Sequence, residues 1–124
     1  MSKYLSIISS ALLLLGAGHC ARAGEADVTA VDIQATGADT YRIDVTVRHA
    51  DEGWDHYANK WEVVAPDGKV LGTRVLYHPH VDEQPFTRSL SGIDIPAGID
   101  SVSVRAYDLA HGAGGAEMTV DVPR

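Results

Sequence analysis

Tyr41 to His49 is the clearest alternating run in the chain. Tyr41, Ile43, Val45 and Val47 share one parity, while Arg42, Asp44, Thr46 and Arg48 share the other. Strand side chains point to opposite faces in turn, so this run predicts a strand with one buried and one wet face. A sheet with an apolar face needs a second layer to cover it, which commits the chain to a layered β architecture. His49 continues the buried parity at the strand's end. There it either caps the core or points toward a site.

The remaining runs supply the partners. Val28 to Gly37 reads as a short edge strand, with Val31 and Ile33 alternating against Asp32 and Gln34. Lys60 to Ala65 puts Trp61 and Val63 on one face, where the large indole would anchor the core. Pro66-Asp67-Gly68 signals a turn, because proline fixes φ and glycine accepts the left-handed region. Lys69 to Tyr77 therefore pairs with the preceding strand. Within it Leu71, Thr73, Val75 and Tyr77 alternate against Gly72, Arg74 and Leu76, and either set can face inward. Phe86 to Ile95 changes parity near Ser91-Gly92, as a bulge would make it do. Ser101 to Tyr107 groups Val102, Val104 and Ala106, and Met118 to Val122 ends the series. The expected fold is all-β, a seven-stranded antiparallel sandwich. Its pattern resembles an immunoglobulin or fibronectin type III module, without the paired cysteines of antibody domains. A small barrel is the alternative.

The first 23 residues are expected to be a cleaved signal peptide. Lys3 supplies a positive start, Leu5 to Ala17 is mostly apolar, and Ala21-Arg22-Ala23 offers small residues where a signal peptidase reads them. The cut is placed after Ala23. The apolar run is shorter than the roughly 20 residues that span a bilayer, which disfavours an anchor and stable membrane insertion. Cys20 is the competing point, for lipid attachment, but His19 precedes it where a small residue is expected. Cleavage leaves residues 24–124, a single β-sandwich domain of 101 residues, periplasmic or secreted, with no cysteine. The net charge of −7 becomes −9 once Lys3 and Arg22 leave with no acidic residue. Nucleic acid needs a basic footprint, so it is disfavoured as a partner. A metal ion or a basic exported protein suits this charge better.

In a sandwich of antiparallel neighbours the connections alternate between two ends. Gly37-Ala38-Asp39, Pro66-Asp67-Gly68 and Pro96-Ala97-Gly98 fall at one end. His49–Asn59, His78–Pro85 and Asp108–Gly115 fall at the other, and they hold all five histidines beyond residue 23. Neutral imidazoles donate lone pairs to zinc or copper. The segregation therefore predicts a candidate metal site with His56, His78 and His80 as first ligands and His111 next. Binding would weaken as pH falls and the rings protonate. His49 is expected to pack at the strand end or to support a ligand. Asp55, Asp82, Glu83 or Asp108 can supply an oxygen or orient an imidazole. Arg88 is placed to hold Asp82 or Asp55. The plain alternative is a set of polar loop residues satisfied by water and neighbouring carboxylates.

Trp54 and Tyr57 suggest a different function, a surface for another exported protein or a glycan. Each combines a large apolar area with a polar handle. Trp54 can instead fold over the open end of the core. Catalysis has less support. Ser89 and Ser91 lie in a predicted strand without a nucleophile elbow, the cysteine leaves with the signal, and Asp55-His56 adjacency makes no dyad. An enzyme here would need the same metal to activate water.

Gly53-Trp54-Asp55-His56-Tyr57-Ala58-Asn59-Lys60-Trp61-Glu62-Val63, with Val70-Leu71-Gly72-Thr73-Arg74 and His78-Pro79-His80 through Arg88, is similar to a family of small exported bacterial proteins of unknown function. The resemblance runs over most of the chain beyond residue 23. It implies export and one compact domain, and carries no catalytic role or ligand with it.

Overall fold

The alternating run around Ile43 forms β2 (Thr40–Arg48), the centre of a three-stranded sheet in the computed structural model, which describes residues 24–124. The expected signal peptide and Cys20 lie outside the described residues. β1 (Asp27–Gly37) and β5 (Phe86–Asp94) flank β2. The second sheet runs β4 (Val70–Val75), β3 (Ala58–Val64), β6 (Ser101–Asp108), β7 (Met118–Asp121). Every pairing is antiparallel. The result is the expected all-β, seven-stranded sandwich.

The buried parity of β2 meets that of the other sheet. Tyr41, Ile43, Val45 and Val47 pack with Trp61, Val63, Val102, Val104 and Ala106 in one cluster. Each such side chain contributes about 1.5–3 kcal/mol by leaving water. The Tyr41 hydroxyl, at the core's edge, donates to the Pro123 carbonyl at 2.7 Å, so burying the phenol leaves no polar group unpaired.

Three local features set the topology. The Pro66-Asp67-Gly68 turn has Gly68 at φ 92°, with Gly68 N donating to Ala65 O at 2.9 Å. This short link keeps β4 beside β3, whereas antibody constant domains place their fourth strand beside the fifth. The inward parity of β4 is that of Gly72 and Arg74, continued by buried Leu76, while Tyr77 stands exposed. Arg74 Nε crosses to the Ser89 carbonyl on β5 at 3.0 Å and closes that edge of the sandwich. In β5, Tyr41 lies opposite Ile93 and Ile43 opposite Leu90, so Ser91 and Gly92 face Arg42 alone. This bulge switches parity, and Phe86 and Ile93 both become buried.

The connections separate into two poles. At one, Arg124 donates to Asp39 Oδ1 at 2.9 Å and to the carbonyls of Pro96 and Ile99 at 2.6 and 2.8 Å. At the other, the β2–β3, β4–β5 and β6–β7 loops meet the residues that precede β1.

Candidate metal centre

His49 is the first residue beyond β2 and keeps the strand's inward parity, so its ring enters the end of the core. Asp51, two residues on, is buried and ties three segments together. Its Oδ1 accepts from His49 Nδ1 at 2.5 Å and from Ala58 N at 3.1 Å, and its Oδ2 accepts from His80 N at 2.6 Å. A carboxylate can only accept, so His49 Nδ1 donates to Asp51 and Nε2 points away from it. His56 is set in the same way, with Nδ1 against Glu52 Oε1 at 2.5 Å. Carboxylates that orient imidazoles from behind in this manner are typical supports of metal ligands.

The two Nε2 nitrogens face each other. His49 Nε2 and His56 Nε2 are 3.3 Å apart. The Gly24 carbonyl oxygen lies 2.9 Å from the first and 3.1 Å from the second. Asp108, the last residue of β6, presents Oδ1 at 3.5 Å from His56 Nε2 and Oδ2 at 3.8 Å from His49 Nε2. Asp108 Oδ1 also caps the following loop, accepting from Ala110 N at 2.8 Å and His111 N at 2.7 Å. Its Oδ2 is buried with no hydrogen-bond partner. Two imidazole nitrogens, a carbonyl oxygen and a carboxylate thus converge: a protonated Nε2 donates to the Gly24 carbonyl, and an unprotonated pair needs a cation between the lone pairs. Donors bound to one zinc ion at about 2.1 Å would stand about 3.4 Å apart in a tetrahedron; the two imidazole nitrogens match this, and one atom each from His49, His56 and Asp108 lie within 4.8 Å of one another. Hydrogen bonding to Glu52 first, then to the Gly24 carbonyl, together with the Asp108 charge, holds the His56 pKa above its ordinary value.

The three histidine loops share a pole, but their imidazoles form two groups. His111 joins the first group, with its ring 5.1 Å from His56 and Nδ1 3.1 Å from Asp108 Oδ1, on the open side of the cluster. His78 and His80 pair with each other, ring centres 4.6 Å apart. His80 stacks flat on Phe86 at 4.0 Å, and neither of its ring nitrogens has a partner. Its link to the first group runs through Asp51, whose Oδ2 is 3.9 Å from His80 Nδ1. Burial, then the charges of Arg88 and His78, push the His80 pKa down.

Other candidate residues also find their places. His49, expected as a packing or supporting residue, contributes a ring nitrogen to the cluster. Asp55 and Asp82 are exposed, and Arg88 pairs with Glu83 at 3.0 Å. Trp54 does not fold over the core. It is 65% exposed and meets Tyr57 edge-on at 5.7 Å. Asp51, Glu52 and Gly24 went unnoticed in the sequence. The first two carry a signal in retrospect, His-x-Asp at 49–51 and Glu-x-x-x-His at 52–56. Gly24 acts through its carbonyl, which every residue has, and gives none.

Comparison with known proteins adds fold and kinship. No protein-family model matches the chain. A protein of Halomicrobium mukohataei described as "Putative lipoprotein" is 43% identical over 97 residues, covering 78% of this chain and 47% of its own length. The chain thus spans about half the length of that curated relative. A hypothetical protein from Pyrococcus horikoshii, known from its crystal structure, has the same fold. It superposes with a TM-score of 0.50 over 82% of this chain and 95% of that one, at 14% identity.

Proposed function

We propose that the chain is an exported domain that holds a transition-metal ion between His49, His56 and Asp108, with His111 on the ion's open side. The observation that carries this reading is that ligand atoms of His49, His56 and Asp108 converge within 4.8 Å of one another, with the buried Asp108 Oδ2 left without a hydrogen-bond partner. The two imidazoles suit zinc or copper. Two histidines and one carboxylate with an open side also suit ferrous iron, which belongs in the same comparison. The net charge of −7 favours a cation. Export is supported by the Lys3, Leu5–Ala17 and Ala21-Arg22-Ala23 pattern and by the description of the Halomicrobium relative. On this reading the cut follows Ala23, and the domain works in the periplasm or outside the cell.

Titration of the purified protein with Zn²⁺, Cu²⁺ and Fe²⁺ tests the site. His56→Ala removes a nitrogen, and Asp108→Asn keeps the loop cap while removing the negative charge. Each is expected to weaken binding by about 100-fold or more, beyond the effect of losing a supporting carboxylate. Undiminished affinity in both variants would sink the proposal.

A second reading rests on the exposure of Trp54 beside Tyr57. That pair would present an aromatic surface to an exported protein or a glycan. A partner or glycan lost on Trp54→Ala, with fold and metal affinity intact, would support it. Retention of the same binding would remove it.

A further inference from the structure

We propose that removal of residues 1–23 completes the metal centre, by converting the Gly24 nitrogen into an amine that binds the same ion as His49 and His56. The inference rests on the metal site proposed above. Gly24 is buried, and its carbonyl oxygen already touches the Nε2 atoms of His49 and His56, at 2.9 and 3.1 Å. The residue is also pressed against the third histidine. A Cβ added to Gly24 would lie 2.5 Å from His111 Cε1 and 3.1 Å from His111 Nε2. Its φ of 108° is a conformation that side-chain-bearing residues rarely adopt. The backbone of this one residue therefore sits among three imidazoles, at the position where the sequence places the signal-peptidase cut.

The chemistry of the cut supplies the missing donor. An export peptidase hydrolyses the Ala23–Gly24 peptide bond. The C–N bond breaks, water gives its hydroxyl to the Ala23 carbonyl carbon, and its hydrogen goes to the Gly24 nitrogen. A peptide nitrogen shares its lone pair with the carbonyl and does not coordinate at neutral pH. A terminal amine has a pKa of about 7.7–8.0, near that of an imidazole, and on releasing its proton it becomes a nitrogen donor. The amine and carbonyl oxygen of one residue form a five-membered chelate ring with a single ion. The centre would then be weak in the precursor and strong in the processed protein, so metal loading would follow export.

The test compares two proteins that differ at one atom group. One begins with a free Gly24 amine, and the other carries an acetyl group on that nitrogen. Residues 24–124 contain all seven strands and the core, so both are expected to show the same circular dichroism. Each is titrated with Zn²⁺ and Cu²⁺, and Cu²⁺ spectra are recorded with ¹⁵N-labelled glycine. The free amine is expected to bind at least about tenfold more tightly and to show glycine-nitrogen coupling to copper. Equal affinities, with His56→Ala still abolishing binding, would overturn the amine's role and leave the site itself standing. No binding by either protein would overturn both. A mass spectrum showing that the exported protein starts elsewhere, for instance at a lipid-modified Cys20, would overturn the amine's role as well.

Discussion

His80 is the buried imidazole that the proposed metal site does not use. Its ring nitrogens lack partners and its ring stacks on Phe86, so the side chain behaves as an apolar plate with a polar cost. Folding lowers its pKa below the ordinary 6.5 that it has in the unfolded chain. Below that pH the unfolded state binds the extra proton, and the folded state loses stability as pH falls. His80→Phe removes both penalties. Denaturant melts should show a gain of about 1 kcal/mol at pH 8 and a larger gain at pH 5.5. A loss at both values would mean that the ring nitrogens have partners. Glu62, on the outer face of β3, shows the same pH direction with burial working against the shift. Burial raises its pKa, but hydrogen bonds from Tyr107 at 2.7 Å and Arg105 at 3.2 Å outweigh burial and leave it below the ordinary 4.5. The stability it supplies is complete above pH 4.5 and fades as the pH falls through the lower folded value. Glu62→Gln should therefore cost about 1 kcal/mol at pH 7 and progressively less toward pH 3.

At the scale of elements, the β2–β3 loop owes its shape to one carboxylate. Asp51 accepts from His49, Ala58 and His80, which belong to the end of β2, the start of β3 and the β4–β5 loop. Asp51→Ala strands three buried donors and should cost about 2–4 kcal/mol by thermal or chemical denaturation. It should also weaken metal binding about tenfold or more, because His49 loses the group that fixes its tautomer. The strands themselves were legible in the sequence. A half-buried strand writes its geometry as a period of two, and Tyr41–Val47 and Val102–Ala106 appear with the inward residues expected of them. The bulge at Ser91-Gly92 was legible for the same reason, since it breaks that period. Loop contacts have no period. Nothing in the residue types tells His56, which meets His49, from His78, which pairs with the His80 ring stacked on Phe86. The side chains that separate the two groups are set by Asp51 and by stacking, neither of which follows from spacing alone.

For the whole molecule, the sandwich carries its chemistry at one pole. The alternation of loops between ends required only antiparallel neighbours, so the grouping of the histidine loops could be foreseen, though the choice of ligands could not. If the site binds metal only in the folded state, an ion at 100 times its dissociation constant should add about 2.7 kcal/mol of stability. A chelator should return the melting temperature to that of the metal-free protein, and a melt unmoved by either would count against the site. The opposite pole is held by Arg124, which is bonded to Asp39, Pro96 and Ile99. The nine residues of β2 between the poles extend about 30 Å. Loading with Cu²⁺ would therefore turn the protein into its own ruler. In an NMR spectrum the unpaired electron should erase the signals of Ala58 and Leu109 first, dim those along β2 by degrees, and leave Asp39, Ile99 and Arg124 sharp.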